Sequence, residues 1–451
     1  MCCNRGRTFD GGIIFCKIVR NKWTNSIFRD KIKQESETGF PILKINLRKD
    51  FLMKKKIFVA IIVAMSMGIL AGCGNEPTSG PVVLEPKPSA TVQVQPEKPE
   101  EPTEEITVIT ERTVVDGKMQ SYLTGEWVDE AIGTRRPIGV SIPNQKSCLP
   151  HYGITNASVI YEVPLRDNLT RLFCLFEDFD DLDRIGPTRS IRDYMIYVGL
   201  EHDAIICHWG SAIPYANPLL NDENGIQVDN VSQATEGIKD PVPGAYDRYN
   251  RNGKYNSTDS AYLFVNGLMK GVETRGYDWD YGDDFEPKFL FAADGVRYTY
   301  DEAKSATKIW PDAGKGNYNT VGAYFEYDET TGKYDCYEYN SKLLDERNGE
   351  TLQVDNIVLQ VVYGEERDDH GYLILEEHGS PELAAQGACN GDFKIYFFTA
   401  GKVVEGYWER VEGNYKPAKY YDMDGNELVF NQGKTFVCQI WDKWEDNIKY
   451  E

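Results

Sequence analysis

Arg189, Ser190, Arg192 and Asp193 follow directly on a Gly186-Pro187 turn, and a strand-like run beginning at Ala204 leads into His208 and Ser211. Residues of these types at this spacing point to two kinds of chemistry. Two arginines three residues apart at the start of a helix share a face. Exposed backbone N–H groups and the helix dipole favour negative charge there, and each guanidinium adds paired donors for a carboxylate or phosphate. Arg171, in the adjacent run Thr170 to Glu177, is placed to converge on them. The same residues also have a structural reading, in which Arg189 or Arg192 pairs with Glu162, Asp193 or Asp183 and Ser190 caps the helix.

His208 and Ser211 stand at the carboxyl end of a strand ahead of a helix, where open α/β sheets place ligands. A hydrolase built on them would need Ser211 within hydrogen-bond reach of a base, either His208 itself or His151 or His202. The chain has no G-x-S-x-G and no H-E-x-x-H motif to support that chemistry. The plainer role for His208 is a hydrogen bond to the Asn144 loop. The expected ligand-contacting set is therefore Asn144, Glu162, Arg171, Arg189, Ser190, Arg192, His208 and Ser211. No ligand spacing supports a metal among His208, Glu162 and Asp193, so no metal or cofactor is expected. The Asp-Gly turn in Asp422-Met423-Asp424-Gly425-Asn426 reads first as a hairpin. The aromatic runs around Tyr407-Trp408, Tyr420-Tyr421, Trp441 and Trp444 suit sugar stacking or, more simply, a sheet core.

The elements that must position these residues follow from their patterns. Pro137–Ile142, Ala157–Val163, Thr170–Glu177 and Ala204–His208 read as strands buried on both faces. Ser190–Glu201 and Ala212–Leu220 have helical spacing. Strands alternating with helices indicate a mixed α/β sheet. Residues 221–275 are rich in Asn, Asp and Gly and read as long loops around short elements. Beyond about residue 280 the pattern changes to hairpins, with Gly322–Tyr327 and Lys333–Tyr339 flanking Asp328-Glu329-Thr330-Thr331-Gly332. Further strands fall at Asn356–Tyr363, Phe393–Phe398, Val403–Arg410 and Thr435–Ile440. The fold class is α+β: an N-terminal α/β domain over 124–277 followed by a β-rich domain over 278–451.

Charge is distributed unevenly along the chain. Residues 1–73 hold 14 Lys and Arg against 5 Asp and Glu, whereas residues 74–451 hold 35 against 66. A body this acidic repels nucleic-acid phosphate and excludes nucleic acid as a partner class. None of Cys148, Cys174, Cys207, Cys336, Cys389 and Cys438 forms a C-x-x-C pair, which argues against zinc-ribbon and thioredoxin-like sites. Cys174, Cys207 and Cys438 sit in apolar runs as small hydrophobes; the disulfide pattern and the oligomeric state stay open.

Residues 1–52 are basic and aperiodic, a foreign-looking extension ahead of Met53 that reads as a mis-called start. From Met53 the order is Lys54-Lys55-Lys56, an apolar run Ile57 to Leu70, then Leu70-Ala71-Gly72-Cys73. That is the grammar of a signal peptide, and a cysteine directly after Leu-Ala-Gly makes it a lipobox. The run is shorter than the ~20 residues a membrane span needs, so residues 53–73 are expected to be a signal cleaved before a lipidated Cys73 carrying palmitate-type acyl chains. Residues 74–123, with their recurrent Pro and Glu, are expected to be an extended tether. The body would then sit on the extracytoplasmic face of the cell membrane.

Several stretches together resemble one family. They are Arg136-Pro137-Ile138-Gly139-Val140 with Asn144, Val159-Ile160-Tyr161-Glu162, Thr170-Arg171, Ile185-Gly186-Pro187-Thr188-Arg189-Ser190, and His208. In the second half they are Phe325-Glu326-Tyr327-Asp328, Asn356-Ile357-Val358 and Gly401-Lys402-Val403-Val404-Glu405-Gly406-Tyr407-Trp408. Over about residues 130–451 the chain is similar to the YerB-like lipoproteins, a two-domain bacterial family without assigned function. It departs from that pattern at Pro143, at Arg166-Asp167-Asn168-Leu169 and at Thr258-Asp259-Ser260-Ala261. The resemblance implies a lipid-anchored envelope protein but supplies no reaction. The residues favour a binding or accessory role toward an anionic ligand, a cell-wall fragment or a partner protein. The alternatives are an envelope hydrolase using His208 and Ser211, and a scaffold without a small-molecule site.

Overall fold

Ile138–Pro143 (β1), Val159–Pro164 (β2), Thr170–Phe176 (β3) and Ile205–His208 (β4) are buried along their whole length. Cover on both faces is why they read as apolar runs rather than as alternating patterns. The computed structural model describes residues 108–223, 225–250, 259–375, 390–410 and 417–451. The expected leader, Cys73, the tether up to residue 107 and Cys389 lie outside the described residues.

Seven further strands complete an 11-stranded sheet: Asn230–Ser232 (β5), Lys304–Ser305 (β6), Asn356–Val362 (β7), Asn390–Thr399 (β8), Lys402–Arg410 (β9), Ala418–Asp422 (β10) and Thr435–Trp441 (β11). Their order is β6-β9-β8-β7-β11-β2-β3-β1-β4-β5, with β10 beside β9. β11 pairs in parallel with β2, Thr435 opposite Val159 through Cys438 opposite Glu162, and in parallel with β7 on its other side. One sheet therefore runs through both halves of the chain. β1, β4 and β5 are mutually parallel, and β3 is antiparallel to β1 and β2. The carboxyl ends of β1, β2, β4 and β5 thus share a rim with the start of β3.

Each face of the sheet has its own layer. Ile138, Val140, Ile142, Ile160, Leu172 and Cys174 pack with Phe325, Tyr334 and Cys336 of a smaller antiparallel sheet built on Lys308–Trp310, Tyr324–Asp328 and Lys333–Glu338. The turn of its hairpin closes with the Gly332 N–H donating to the Asp328 carbonyl at 2.7 Å. On the opposite face Tyr161, Val163, Phe173 and Leu175 pack with Tyr194, Met195 and Val198 of the helix Asp193–Glu201 (α1) and with Ala216 and Leu219 of Ile213–Leu220 (α2). No helix among the described residues is long and apolar enough to cross a membrane.

Three local expectations are revised. The first helix begins at Asp193, not Ser190, and Ser190 makes no cap. Backbone bonds hold the preceding residues extended: Arg189 N donates to Ser141 O at 2.9 Å, Ile191 N to Gly210 O at 3.0 Å, and Ala212 N to Ile191 O at 3.0 Å. Within the expected loop region lies an 11-residue helix, Val265–Arg275 (α3). Its helical signal is weakened by Gly267, where a Cβ would lie 2.4 Å from the Gly244 carbonyl oxygen. The chain also joins the packed body at Val108 rather than after residue 123. Val108 bridges to Ala292, Ile109 N donates to Phe291 O at 2.9 Å, and Ile109, Met119 and Leu123 are buried. Cys148, Cys174, Cys207, Cys336 and Cys438 are buried thiols.

A buried ionic group fastens α1 to the second half of the chain. The fully buried Glu201 carboxylate, at the end of α1, accepts from Lys288 Nζ at 2.5 Å, Arg410 Nη2 at 3.0 Å and Ala418 N at 3.2 Å. Removing one partner leaves buried charge without compensation. Glu201→Ala should destabilise the chain by about 3–5 kcal/mol in urea unfolding at pH 7, while Lys288→Met in the same chain should recover part of that loss.

Candidate functional site

On the rim where β1, β2 and β4 end and β3 begins, a pocket of about 230 Å³ opens. Arg171, Arg189, Ser190, Arg192 and Ser211 line it, with Arg166, Gln145, Leu165, Leu169 and Tyr372 completing the wall. Five of the eight expected residues thus come together, carried by the start of β3, the extended segment before α1 and the segment after β4. Gly210 makes the crossing possible. Its φ is +91°, and a Cβ there would lie 2.5 Å from Ser190 Oγ.

Arg171 and Arg192 are held by carbonyls, and no carboxylate among the described residues bonds them. Arg171 Nη1 donates to the Ser190 carbonyl, and Arg192 Nη1 donates to Ser190 O at 3.4 Å and Ile191 O at 3.2 Å. The acids that the structural reading assigned to them are engaged elsewhere. Asp193 pairs with Arg367 at 2.8 Å, Asp183 pairs with Arg184 at 2.7 Å, and Glu162 accepts from Asn144 Nδ2 at 3.2 Å. No Asp or Glu among the described residues lines the pocket. Arg171 is 7% exposed and its buried Nε has no partner. Burial, together with the like charges of Arg192 and Arg189, holds its guanidinium well below the usual arginine range. A buried unpartnered N–H costs about 1–3 kcal/mol, and an anion in this pocket relieves both that cost and the repulsion.

Asn144, Glu162 and His208 stand apart from the pocket lining. His208 is fully buried, and its Nδ1 contacts the Gly210 carbonyl at 2.7 Å instead of reaching the Asn144 loop. Burial pushes its pKa down to about 4. The Ser211 hydroxyl donates to Asn217 Oδ1. Ser211 and His208 therefore do not form the nucleophile–base pair that a hydrolase needs. His202 Nε2 lies 2.8 Å from the Tyr161 hydroxyl, and His151 Nε2 lies 2.9 Å from the Pro143 carbonyl. Trp408 and Tyr420 are core residues, and Asp422 closes its own turn by accepting from Asp424 N and Asn426 N, each at 2.9 Å. Sequence reasoning missed Arg166, Gln145 and Tyr372. The first two adjoin elements already marked, but Tyr372 arrives some 200 residues after Arg171 without a local signal.

Asn144 and Glu162 instead belong to a buried polar cluster between the two sheets. Asn144 Nδ2 also donates to Thr170 Oγ1 at 2.9 Å, and Glu338 of the small sheet meets Glu162 there, both carboxyls fully buried or nearly so. Burial raises Glu162 to about 7, and burial plus the Glu162 charge raises Glu338 well above its ordinary value. A carboxyl pair of this kind titrates as a unit holding a shared proton. Because the folded pKa is raised, this stability is complete below the unfolded value of about 4.5 and is lost as pH climbs through 7. Urea unfolding at pH 5 and pH 8 should show wild type losing more stability on that rise than Glu162→Gln does.

Comparison with known proteins agrees with the resemblance noted in the sequence. Residues 123–278 match the N-terminal domain and residues 315–437 the C-terminal domain of the family described as protein of unknown function DUF3048. The chain is 23% identical over 328 residues to a Bacillus subtilis (strain 168) protein named as a lipoprotein, YerB, covering 71% of this chain and 86% of the relative. The crystal structure of the Bacillus subtilis YerB protein shares the fold, with a TM-score of 0.58 and 20% identity over 74% of this chain and 99% of that one. With both domains present in order on that shared fold, the chain belongs to the two-domain YerB-like lipoprotein family.

Proposed function

We propose that this protein is a lipid-anchored envelope protein that binds an anionic ligand in the arginine pocket. The observation that carries this reading is the set of three guanidiniums, Arg171, Arg189 and Arg192, facing one pocket with no carboxylate partner among the described residues. Burying the Arg171 charge beside the partly exposed Arg189 and Arg192 is costly unless something of opposite sign joins them. Carbonyl acceptors on one edge of Arg171 and Arg192 fix the planes of these groups and leave their other donors for a ligand. The location agrees with the rule for open sheets, at the carboxyl ends of parallel strands. The lipobox ending at Cys73 and the lipoprotein name of the Bacillus relative support anchoring outside the cytoplasm.

Binding is tested by thermal unfolding of the full chain with phosphate, sulfate, carboxylates and nucleotides. A ligand at 100 times its dissociation constant adds about 2.7 kcal/mol. Arg189 has a backbone bond to Ser141 but no side-chain partner among the described residues, so Arg189→Ala should abolish that stabilisation and leave unliganded stability within about 0.5 kcal/mol. A wild-type chain that no anion stabilises would sink the binding reading. Anchoring is tested separately: incorporation of a palmitate analogue in cells should disappear in Cys73→Ser, and persistent labelling would show that Cys73 is not the acyl site.

A further inference from the structure

We propose that the pocket takes a hydroxyl-bearing phosphate ester, the phosphate of a short polyol or sugar, in preference to a carboxylate. This rests on the anion reading above and adds the chemistry of the ligand. The charge balance comes first. Arg171, Arg189 and Arg192, with Arg166 completing the wall, bring their positive charges to a lining that holds no Asp or Glu among the described residues. A monocarboxylate answers one of these charges and offers two oxygens, whereas a phosphate monoester carries about −1.5 to −2 at neutral pH and three strong acceptor oxygens. Arg171 and Arg192 both spend Nη1 on backbone carbonyls, so each keeps Nε and Nη2 for the ligand. Two such edges plus an Arg189 side chain uncommitted among the described residues offer more N–H groups, from two backbone segments, than one planar carboxylate can accept.

The second observation concerns an acceptor. Asn217 is oriented by its Nδ2, which donates to the Glu236 carbonyl at 3.1 Å, so its Oδ1 takes the only hydrogen of the Ser211 hydroxyl. Ser211 can therefore offer the pocket only lone pairs. Ser211 thus joins Gln145 and Ser190 as an acceptor-bearing side chain on a polar wall otherwise made of arginines, which suits a ligand with a hydroxyl next to its anion. Leu165, Leu169 and the Tyr372 ring give the remaining wall an apolar surface for the carbon chain. At about 230 Å³ the pocket is smaller than the ~300–1,000 Å³ typical of drug-sized ligands, which fits one phosphoryl group on a short polyol.

The test is calorimetric titration of the full chain with glycerol 3-phosphate, inorganic phosphate and malate, on wild type and Ser211→Ala. The expected result is glycerol 3-phosphate binding at least tenfold more tightly than malate and several-fold more tightly than inorganic phosphate. Ser211→Ala should remove the advantage over inorganic phosphate and leave inorganic phosphate itself unchanged. Malate matching glycerol 3-phosphate overturns the phosphate assignment while the anion reading stands. Inorganic phosphate matching it, or Ser211→Ala weakening both phosphates equally, overturns the hydroxyl assignment. Binding of none of the three overturns the anion reading itself. A soluble short-chain 1-acylglycerol 3-phosphate, a lipid that keeps the phosphate monoester and a free hydroxyl, titrated below its micelle point, decides the source of the phosphoryl group: tighter binding than glycerol 3-phosphate assigns a lipid headgroup, and weaker binding assigns the free ester.

Discussion

The parallel pairing of Thr435–Cys438 with Val159–Glu162 is the constraint on which the rest of the molecule depends. Without β11, the strands before residue 278 and the strands after it are two open sheets with exposed edges. Joining them creates one surface broad enough for the small sheet on one side and for α1 and α2 on the other. The polar ties follow the same seam. Glu201 reaches Lys288 and Arg410 on the helical face, and Glu162 meets Glu338 on the opposite face. Buried polar groups in these positions are affordable only while every partner is present, so they make the joined arrangement specific as well as stable.

The pocket inherits its geometry from that sheet. Strand direction places the ends of β1, β2 and β4 on one rim, and the backbone bonds of Arg189 and Ile191 lay the arginine segment across it. Carbonyl oxygens then do what carboxylates do in ordinary ion pairs, but without cancelling charge. They orient the guanidiniums while leaving the positive potential intact. That distinguishes this cluster from a structural salt bridge made of the same residue type.

Much of this was legible in the chain. The central strands stand out because each carries an uninterrupted apolar run, and their ends fell within two residues of expectation. The convergence of Arg171 with Arg189 and Arg192 was also readable, since all three flank those strands. The errors share a cause, which is competition from distant backbone. Ser190 had helical spacing, but the Ser141 and Gly210 carbonyls claimed the N–H groups around it. His208 looked available, but burial and Gly210 fix it as a neutral core residue. Glu162 was expected beside the arginines, yet side chains alternate across a strand, and its parity sends it to the face opposite Arg171. The shared sheet and Tyr372 had no local signature at all, because they depend on pairings hundreds of residues apart.

The wall carrying Tyr372 has a further consequence. It is clasped to the arginine side by Arg367 on Asp193, by Tyr215 on Asp368 at 2.7 Å and by Arg166 on the His370 carbonyl at 3.1 Å. A ribosome making this chain finishes the cationic floor long before the wall, and the strand that locks the two halves comes later still, at residues 435–441. A nascent chain would thus expose a sheet edge at β2 and an unroofed cluster of arginines. On the proposed function, ligand capture is consequently a property of the completed protein, and occupancy of the pocket would double as a report that the two halves have found each other.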